Sequence, residues 1–213
     1  MDRDTVSRDV VATEVTWDDY MARYAHDFHE WVGGEVVKMS PIHTKHNQIS
    51  RYLIMLLDAY LTVKPVGVLE NAPFVMKLPT ANSSREPDIQ IILNDSMTAY
   101  TPTGMLDAAD IAVEIVSPES RERDYKTKFA EYETGGVKEY WLIDPTANTA
   151  QFYRRGEDGK YAAQTLNRGV YVTPLLPDLR VDTSLLWKDT LPNLMQVAVM
   201  INTMLAGNAN DGE

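Results

Sequence analysis

A chain of 213 residues, 44% of them hydrophobic, is long and apolar enough to bury a core as one domain. Its 31 acidic and 20 basic residues leave a formal charge of −11, which argues against tight, non-specific duplex binding by a monomer, since Lys and Arg on phosphates normally supply that affinity. The absence of cysteine excludes disulfides and thiolate metal sites, and leaves the oxygen and imidazole ligands that suit hard or borderline divalent ions.

Residues 1–14 are expected to be a flexible, charged stretch without the apolar run of a secretory signal. Residues 15–205 are read as a single domain and 206–213 as a polar tail. No apolar run reaches the roughly 18 residues of a membrane-spanning helix, so no membrane partner is expected, and a cytoplasmic location is the default. Thr16 is a predicted N-cap, with Asp19 three residues on, for a helix reaching about His29. His26 and His29 share a face of that helix but lack a third ligand in an arranged spacing. Glu30–Met39 is a predicted hairpin around Gly33-Gly34, followed by a helix over about His43–Leu61 whose Ile49, Leu53, Leu56, Leu57 and Tyr60 trace one face. Val66–Glu70 and Pro73–Leu78 are short strands, and Asn94–Asp107 is a loop with the character of a lid. Gln151–Arg155 and Lys160–Ala163 form a further hairpin, and a last helix begins near Thr190-Leu-Pro192 with proline in its first turn.

The chain is organised around residues 110–132. Ile111–Val116 is a continuous apolar run, the pattern of a strand buried on both faces, broken by one carboxylate, Glu114. An unpaired buried charge costs several kcal/mol, roughly, so Glu114 requires a proton, a cation or a metal. A buried salt bridge or a strand end that reaches solvent also satisfies that requirement. Upstream, Pro87 opens a second apolar strand at Asp88. Downstream, Glu119–Thr134 is a predicted helix with a stripe of Tyr125, Phe129 and Tyr132. Asp124 and Lys128, spaced i, i+4, make either a surface salt bridge or a pair that points Lys128 across the sheet. A parallel strand follows at Glu139–Ile143, after Gly135-Gly136 ends the helix.

Pro87-Asp88, then Val113-Glu114-Ile115-Val116-Ser117-Pro118, then Asp124, Lys128 and Tyr132, then Gly136-Val-Lys-Glu-Tyr-Trp-Leu-Ile-Asp-Pro145 resemble, in order and spacing, the Uma2 family of PD-(D/E)XK restriction-endonuclease-like proteins. The resemblance covers roughly residues 30–180. It implies an α/β (α+β) fold with a mixed sheet flanked by helices, and a metal-dependent endonuclease acting on DNA. The superfamily's lysine usually stands two residues after the glutamate, where this chain has Val116, and Lys128 matches the position used in Uma2-like sequences. The resemblance also suggests accessory roles for Glu35, which follows the hairpin glycines, and for His46. As ordinary features these are a turn-flanking acid and a helix-start residue.

Phosphodiester hydrolysis needs an in-line water, a charge sink and help for the leaving group, and a divalent metal supplies the sink. Mg2+ (or Mn2+) is satisfied by one or two carboxylates with waters and substrate phosphate. Asp88, Glu114 and the Ile115 carbonyl are the candidate ligands, with Lys128 orienting water or phosphate. Ser117 either touches substrate or caps the next helix. A nuclease fold that binds without turnover, favoured by the acidity, competes with this reading. A different hydrolase ranks last, whether with carboxylates on a sugar or a Ser117–Lys128 pair. A homodimer is expected, because cutting both strands needs two sites. DNA contacts are expected to be few and local.

Overall fold

The structure is a computed structural model and describes residues 10–25, 29–38 and 43–206. Strand β1 (Val10–Ala12) lies inside the stretch expected to be flexible. Helix α1 (Trp17–Arg23) is capped as its sequence predicts: Thr16 Oγ1 accepts the Asp19 N–H at 3.1 Å and donates to the Asp19 carboxylate at 2.7 Å. The helix stops at Arg23, short of the predicted His29, because His29 opens strand β2 (His29–Val32). Four successive pairs, His29↔Lys38 to Val32↔Glu35, tie β2 to β3 (Glu35–Lys38). Gly33 and Gly34, with φ of +55° and +96°, make the turn between them. His29 therefore does not lie on the helix face where the pair was expected. His26 lies outside the described residues.

Helix α2 (Thr44–Val63) buries Ile49, Leu53, Leu56, Leu57 and Tyr60, together with His46 and Tyr52. Strands β4 (Gly67–Asn71), β5 (Val75–Leu78), β6 (Ser83–Arg85) and β7 (Ile89–Leu93) follow. The stretch expected to be a lid is instead stitched into a sheet. It forms a 3-10 turn (Asn94–Ala99) and strands β8 (Tyr100–Thr101) and β9 (Gly104–Met105), and β9 runs parallel to β5. Met105 is buried there, so pairing and burial together hold the segment. Then come β10 (Ile111–Ile115), β11 (Glu139–Asp144), β12 (Thr149–Arg155), β13 (Tyr161–Ala163), β14 (Val170–Val172) and β15 (Arg180–Asp182).

The strands form a seven-stranded sheet in the order β1-β3-β2-β6-β5-β9-β8, a six-stranded sheet in the order β13-β12-β11-β10-β7-β4, and the pair β14-β15. In the six-stranded sheet β10 is parallel to β11 and antiparallel to β7. Alternation sorts the residues of these strands. Ile89, Ile91, Ile111, Val113 and Ile115 join the core under α2. Ile92, Ala112, Val116 and Leu142 face the other way and pack with Met76 and Leu78 of β5.

The helix predicted after β10 forms with a different face inward. Residues 123–128 make a π-turn and lead into α3 (Phe129–Gly135), which ends at Gly136 with φ of +98°. The fully buried residues are Asp124, Lys128 and Tyr132, while Tyr125 and Phe129, expected in the stripe, are half-buried. A π-turn closes i→i+5 bonds, so a period of 3.6 misplaces the face. Phe129 instead meets Tyr153 and Tyr161 edge-on, at 4.9 and 5.2 Å between centroids.

The chain closes with α4 (Thr183–Leu186) and α5 (Leu194–Ala206). Asn193, not the prolyl turn, caps α5: its Oδ1 accepts the Gln196 N–H at 3.1 Å, and its N–H donates to Gln196 Oε1 at 3.0 Å. Pro192 thus precedes the cap. Among the described residues no helix is long and apolar enough to cross a membrane.

Candidate active site

The ladder between β7 and β10 pairs Ala112 with Gln90 and Val113 with Ile89. Asp88 directly precedes β7, and Glu114 directly follows Val113, the last residue of β10 paired with β7. Glu114 alternates with Val113 and Ile115, which face α2, and so projects to the α3 side of the six-stranded sheet, where it meets Lys128 and Tyr132. Asp88 Oδ2 accepts the Ile115 N–H at 2.7 Å and lies 3.1 Å from His46 Nε2. These bonds fix the carboxylate and tie the first turn of α2 to the end of β10.

Glu114 is 3% exposed. Its Oε1 accepts from Lys128 Nζ at 2.9 Å and from the Tyr132 hydroxyl at 2.5 Å. Lys128 Nζ also lies 3.3 Å from Glu30 Oε1 and 3.6 Å from Asp124 Oδ1. The i, i+4 pair of Asp124 and Lys128 is therefore a buried contact, not a surface bridge. Arg85, on β6, backs this cluster. Its Nη1 meets Glu30 Oε2 at 2.8 Å, and it grips both oxygens of Glu131 at 2.6 and 2.9 Å. Beside it the buried Glu86 accepts from the Tyr20 hydroxyl at 3.0 Å, which links α1 to the site.

Burial and charge set the protonation of these groups. Burial lifts the Glu114 carboxyl above its usual range against the pull of Lys128, with Asp88 and Asp124 adding like charge. Burial likewise raises Asp124. Burial pushes Glu86 up to about 8, opposed by the Tyr20 hydrogen bond and aided by Glu30. Against burial, Lys128 and Arg85 hold Glu30 well below the ordinary carboxylate range. Against burial, Glu114, Glu30 and Asp124 hold the Lys128 ammonium above the ordinary lysine range. Burial thus favours the neutral forms of Glu114, Asp124 and Glu86, while the surrounding carboxylates favour the charged form of Lys128.

The structure brings Asp88, Glu114, Lys128 and His46 together. Glu35 pairs across the hairpin with Val32. The hairpin acid that reaches Lys128 is Glu30. Ser117 caps the turn before the helix: its Oγ accepts the Ser120 N–H at 3.1 Å, and Ser120 Oγ accepts the Ser117 N–H at 2.9 Å. Glu30, Arg85 and Glu86 escaped the sequence reading because their partners lie far along the chain. The one local signal was a charged Arg85-Glu86 pair abutting Pro87-Asp88.

Among the described residues no group of three or more His, Asp and Glu side chains is arranged to hold a metal ion. Asp88 uses Oδ2 for its bonds and Glu114 uses Oε1, so each carboxylate keeps one oxygen without a hydrogen bond among the described residues. The Ile115 carbonyl shares the strand edge of its N–H, which Asp88 occupies. Two carboxylate oxygens and a carbonyl are hard donors and fit Mg2+ or Mn2+, which take waters and phosphate for the rest. They do not make a closed protein cage.

The model of the Uma2 family, described as "Putative restriction endonuclease", matches residues 17–185. No curated protein matches the chain. Among solved structures, one titled "Crystal structure of a putative nuclease belonging to DUF820 from Anabaena variabilis ATCC 29413" is similar, with a TM-score of 0.67 and 17% identity over 81% of this chain and 97% of that one. At that identity the likeness establishes the fold, a restriction-endonuclease-like mixed sheet flanked by helices, and leaves the chemistry to the site.

Proposed function

Because the chain belongs to the Uma2 family, whose model spans residues 17–185, we propose that it is a nuclease of the PD-(D/E)XK type that hydrolyses DNA phosphodiester bonds with Mg2+ or Mn2+. The observation that carries this reading is that the Asp88 carboxylate holds the Ile115 N–H, one residue past Glu114, and adds like charge to Glu114, while Lys128 Nζ lies 2.9 Å from Glu114. A bound divalent ion would supply the charge sink and a more acidic water. Asp88, Glu114 and the Ile115 carbonyl would hold it. His46 and the Ile115 N–H orient Asp88. Lys128, kept charged, would hold the attacking water or the scissile phosphate by its ammonium. Tyr132 anchors Glu114, and Asp124 flanks the Lys128 ammonium.

A second reading has its own observation. Lys128 Nζ already neutralises Glu114 and is enclosed by Glu30 and Asp124, an arrangement also suited to a nuclease fold that binds without turnover. Calorimetric titration with Mg2+ and Mn2+, coupled to cleavage of plasmid and single-stranded DNA, separates the two. The nuclease reading expects metal binding and cleavage, both lost in Asp88→Asn and Glu114→Gln. Metal-independent DNA binding without cleavage would favour the second.

A further inference from the structure

Arg123 opens the π-turn, one residue before Asp124 and five before Lys128. It is half-buried, and its Nε is fully enclosed with no hydrogen-bond partner. Neighbouring arginines are spoken for: Arg85 by Glu30 and Glu131, Arg121 by Asp144, Arg154 by Glu139. Among the described residues Arg123 makes no ion pair, in a chain with 31 acidic residues. Yet its charge reaches the site, favouring the ionised forms of Glu30 and Asp124 and opposing the ammonium of Lys128. A buried donor without a partner is costly, and native structures rarely keep one without a ligand, ion or water to satisfy it.

We propose that Arg123 is the phosphate anchor of the site, binding a non-bridging oxygen pair of the nucleic-acid backbone beside the scissile bond. This rests on the nuclease reading and names the group that holds its substrate. The chemistry favours it in two ways. The guanidinium is a planar fork that matches phosphate and is weakly hydrated. Lys128 is the alternative cation, but Glu114 and Glu30 already surround its ammonium. In a molecule at −11, an anion is held by whichever cation the protein itself leaves unneutralised, and at this site that is Arg123. The position also explains the π-turn, a feature frequent at functional sites. The turn brings Asp124 and Lys128 inward while Arg123, just ahead of them, keeps part of its side chain in solvent.

The test uses the full chain as wild type, Arg123→Gln, Arg123→Lys and, as a charge-matched control, Arg180→Gln at the exposed first residue of β15. Anisotropy of a labelled, 5′-phosphorylated single-stranded 12-mer, with chelator present, reads binding apart from cleavage. Arg123→Gln should weaken it about ten- to hundredfold, the usual weight of a hydrogen bond to a charged group, and Arg123→Lys by less. Arg180→Gln should match wild type, and the Tm of Arg123→Gln without ligand should stay near that of wild type. In the cleavage assay KM should rise more than kcat falls. Equal affinity in Arg123→Gln and Arg180→Gln overturns the assignment. So does a loss of affinity that tracks a fall in Tm, which would make Arg123 structural. If wild type binds no oligonucleotide, the DNA reading fails by itself and inorganic phosphate decides: a phosphate-dependent rise in Tm that Arg123→Gln lacks keeps the anion site, and no difference between them removes it.

Discussion

At the scale of single residues, Lys128 and Lys126 offer an internal comparison. Lys128 is enclosed by Glu114, Glu30 and Asp124, whereas Lys126 is exposed and pairs with Glu122 at 2.9 Å, an i, i+4 bridge. Lys128→Ala should cut turnover by about 10²–10⁴, the range for losing a positioned proton-transfer group. It should also lower stability by about 3–5 kcal/mol, because buried carboxylates lose their cation. Assays well below the mutant's Tm separate the two effects. Metal affinity should stay near wild type or tighten slightly, since a competing positive charge is gone. Lys126→Ala should be nearly silent in both assays, and damage from Lys126→Ala with a harmless Lys128→Ala would show that the wrong helix face had been assigned. The residue scale also shows what local sequence conveys. Glu114 declared itself as a charge in an apolar strand; Glu30 did not, because a carboxylate in a short hairpin has no local oddity.

At the scale of elements, α3 reaches the sheet through a close approach at its end. A Cβ placed on Gly135 would lie 2.6 Å from Leu78 Cδ2 and 3.2 Å from Leu78 Cβ on β5. No side chain fits unless Leu78 or the helix moves. Gly135→Ala should therefore cost about 1–3 kcal/mol, the usual penalty for overpacking, read by chemical denaturation. Because α3 carries Lys128's neighbour Tyr132 onto Glu114, the same change should lower turnover beyond what residual unfolding explains. Unaltered stability would mean that this contact is looser than the distances imply. The element scale is where the helical period misled. Of the aromatic residues expected in the buried stripe only Tyr132 is fully buried, and Asp124 and Lys128 join it. A buried charged pair gives no hydrophobic signal, and a π-turn has no sequence signature to set against 3.6 residues per turn.

At the scale of the whole molecule, protonation and charge govern stability and assembly. Glu86 keeps its proton to about pH 8 in the folded chain, against an ordinary value of 4.5. Between those values unfolding releases a proton, so stability should fall as pH rises through the window and level off above it. At about 1.4 kcal/mol per unit, the fall should be visible as several degrees of Tm between pH 5 and 8. Glu86→Gln should flatten that slope; parallel slopes for the two proteins would assign the effect elsewhere. Assembly follows the charge map. In a molecule at −11, two copies approach most easily where charge is absent, and α5, Leu194–Ala206, has no charged residue. Its Leu194, Met195 and Val199 are exposed by 60, 73 and 65%. Met195 and Val199 line a cavity of about 620 Å³ together with Leu185, Leu191 and Met200. A ridge beside a hole on one patch is what a two-fold, self-complementary interface requires. Light scattering should give a dimer that Met195→Glu and Val199→Glu convert to monomer. Because the native chain lacks cysteine, Val199→Cys should cross-link under mild oxidation. A wild-type monomer at assay concentration would leave the protein one site, fit for nicking or single strands.

The sequence by itself determined the strands at β7, β10 and β11, the order of the motif pieces and the choice of Asp88, Glu114 and Lys128 as candidates. Those features rest on local signals: an apolar run of period two, a proline at a strand start, a charge where none is expected, and spacing along the chain. Only the tertiary structure decided that Glu30 meets Lys128, that the 94–107 segment is sheet, that Asp124 and Lys128 lie inward, and that Arg123 is left without an ion-pair partner among the described residues. Each of these depends on which distant groups arrive at the same place. Burial and ion pairing are settled by that arrival, because the cost of a charge is set by its surroundings in three dimensions and not by its neighbours along the chain.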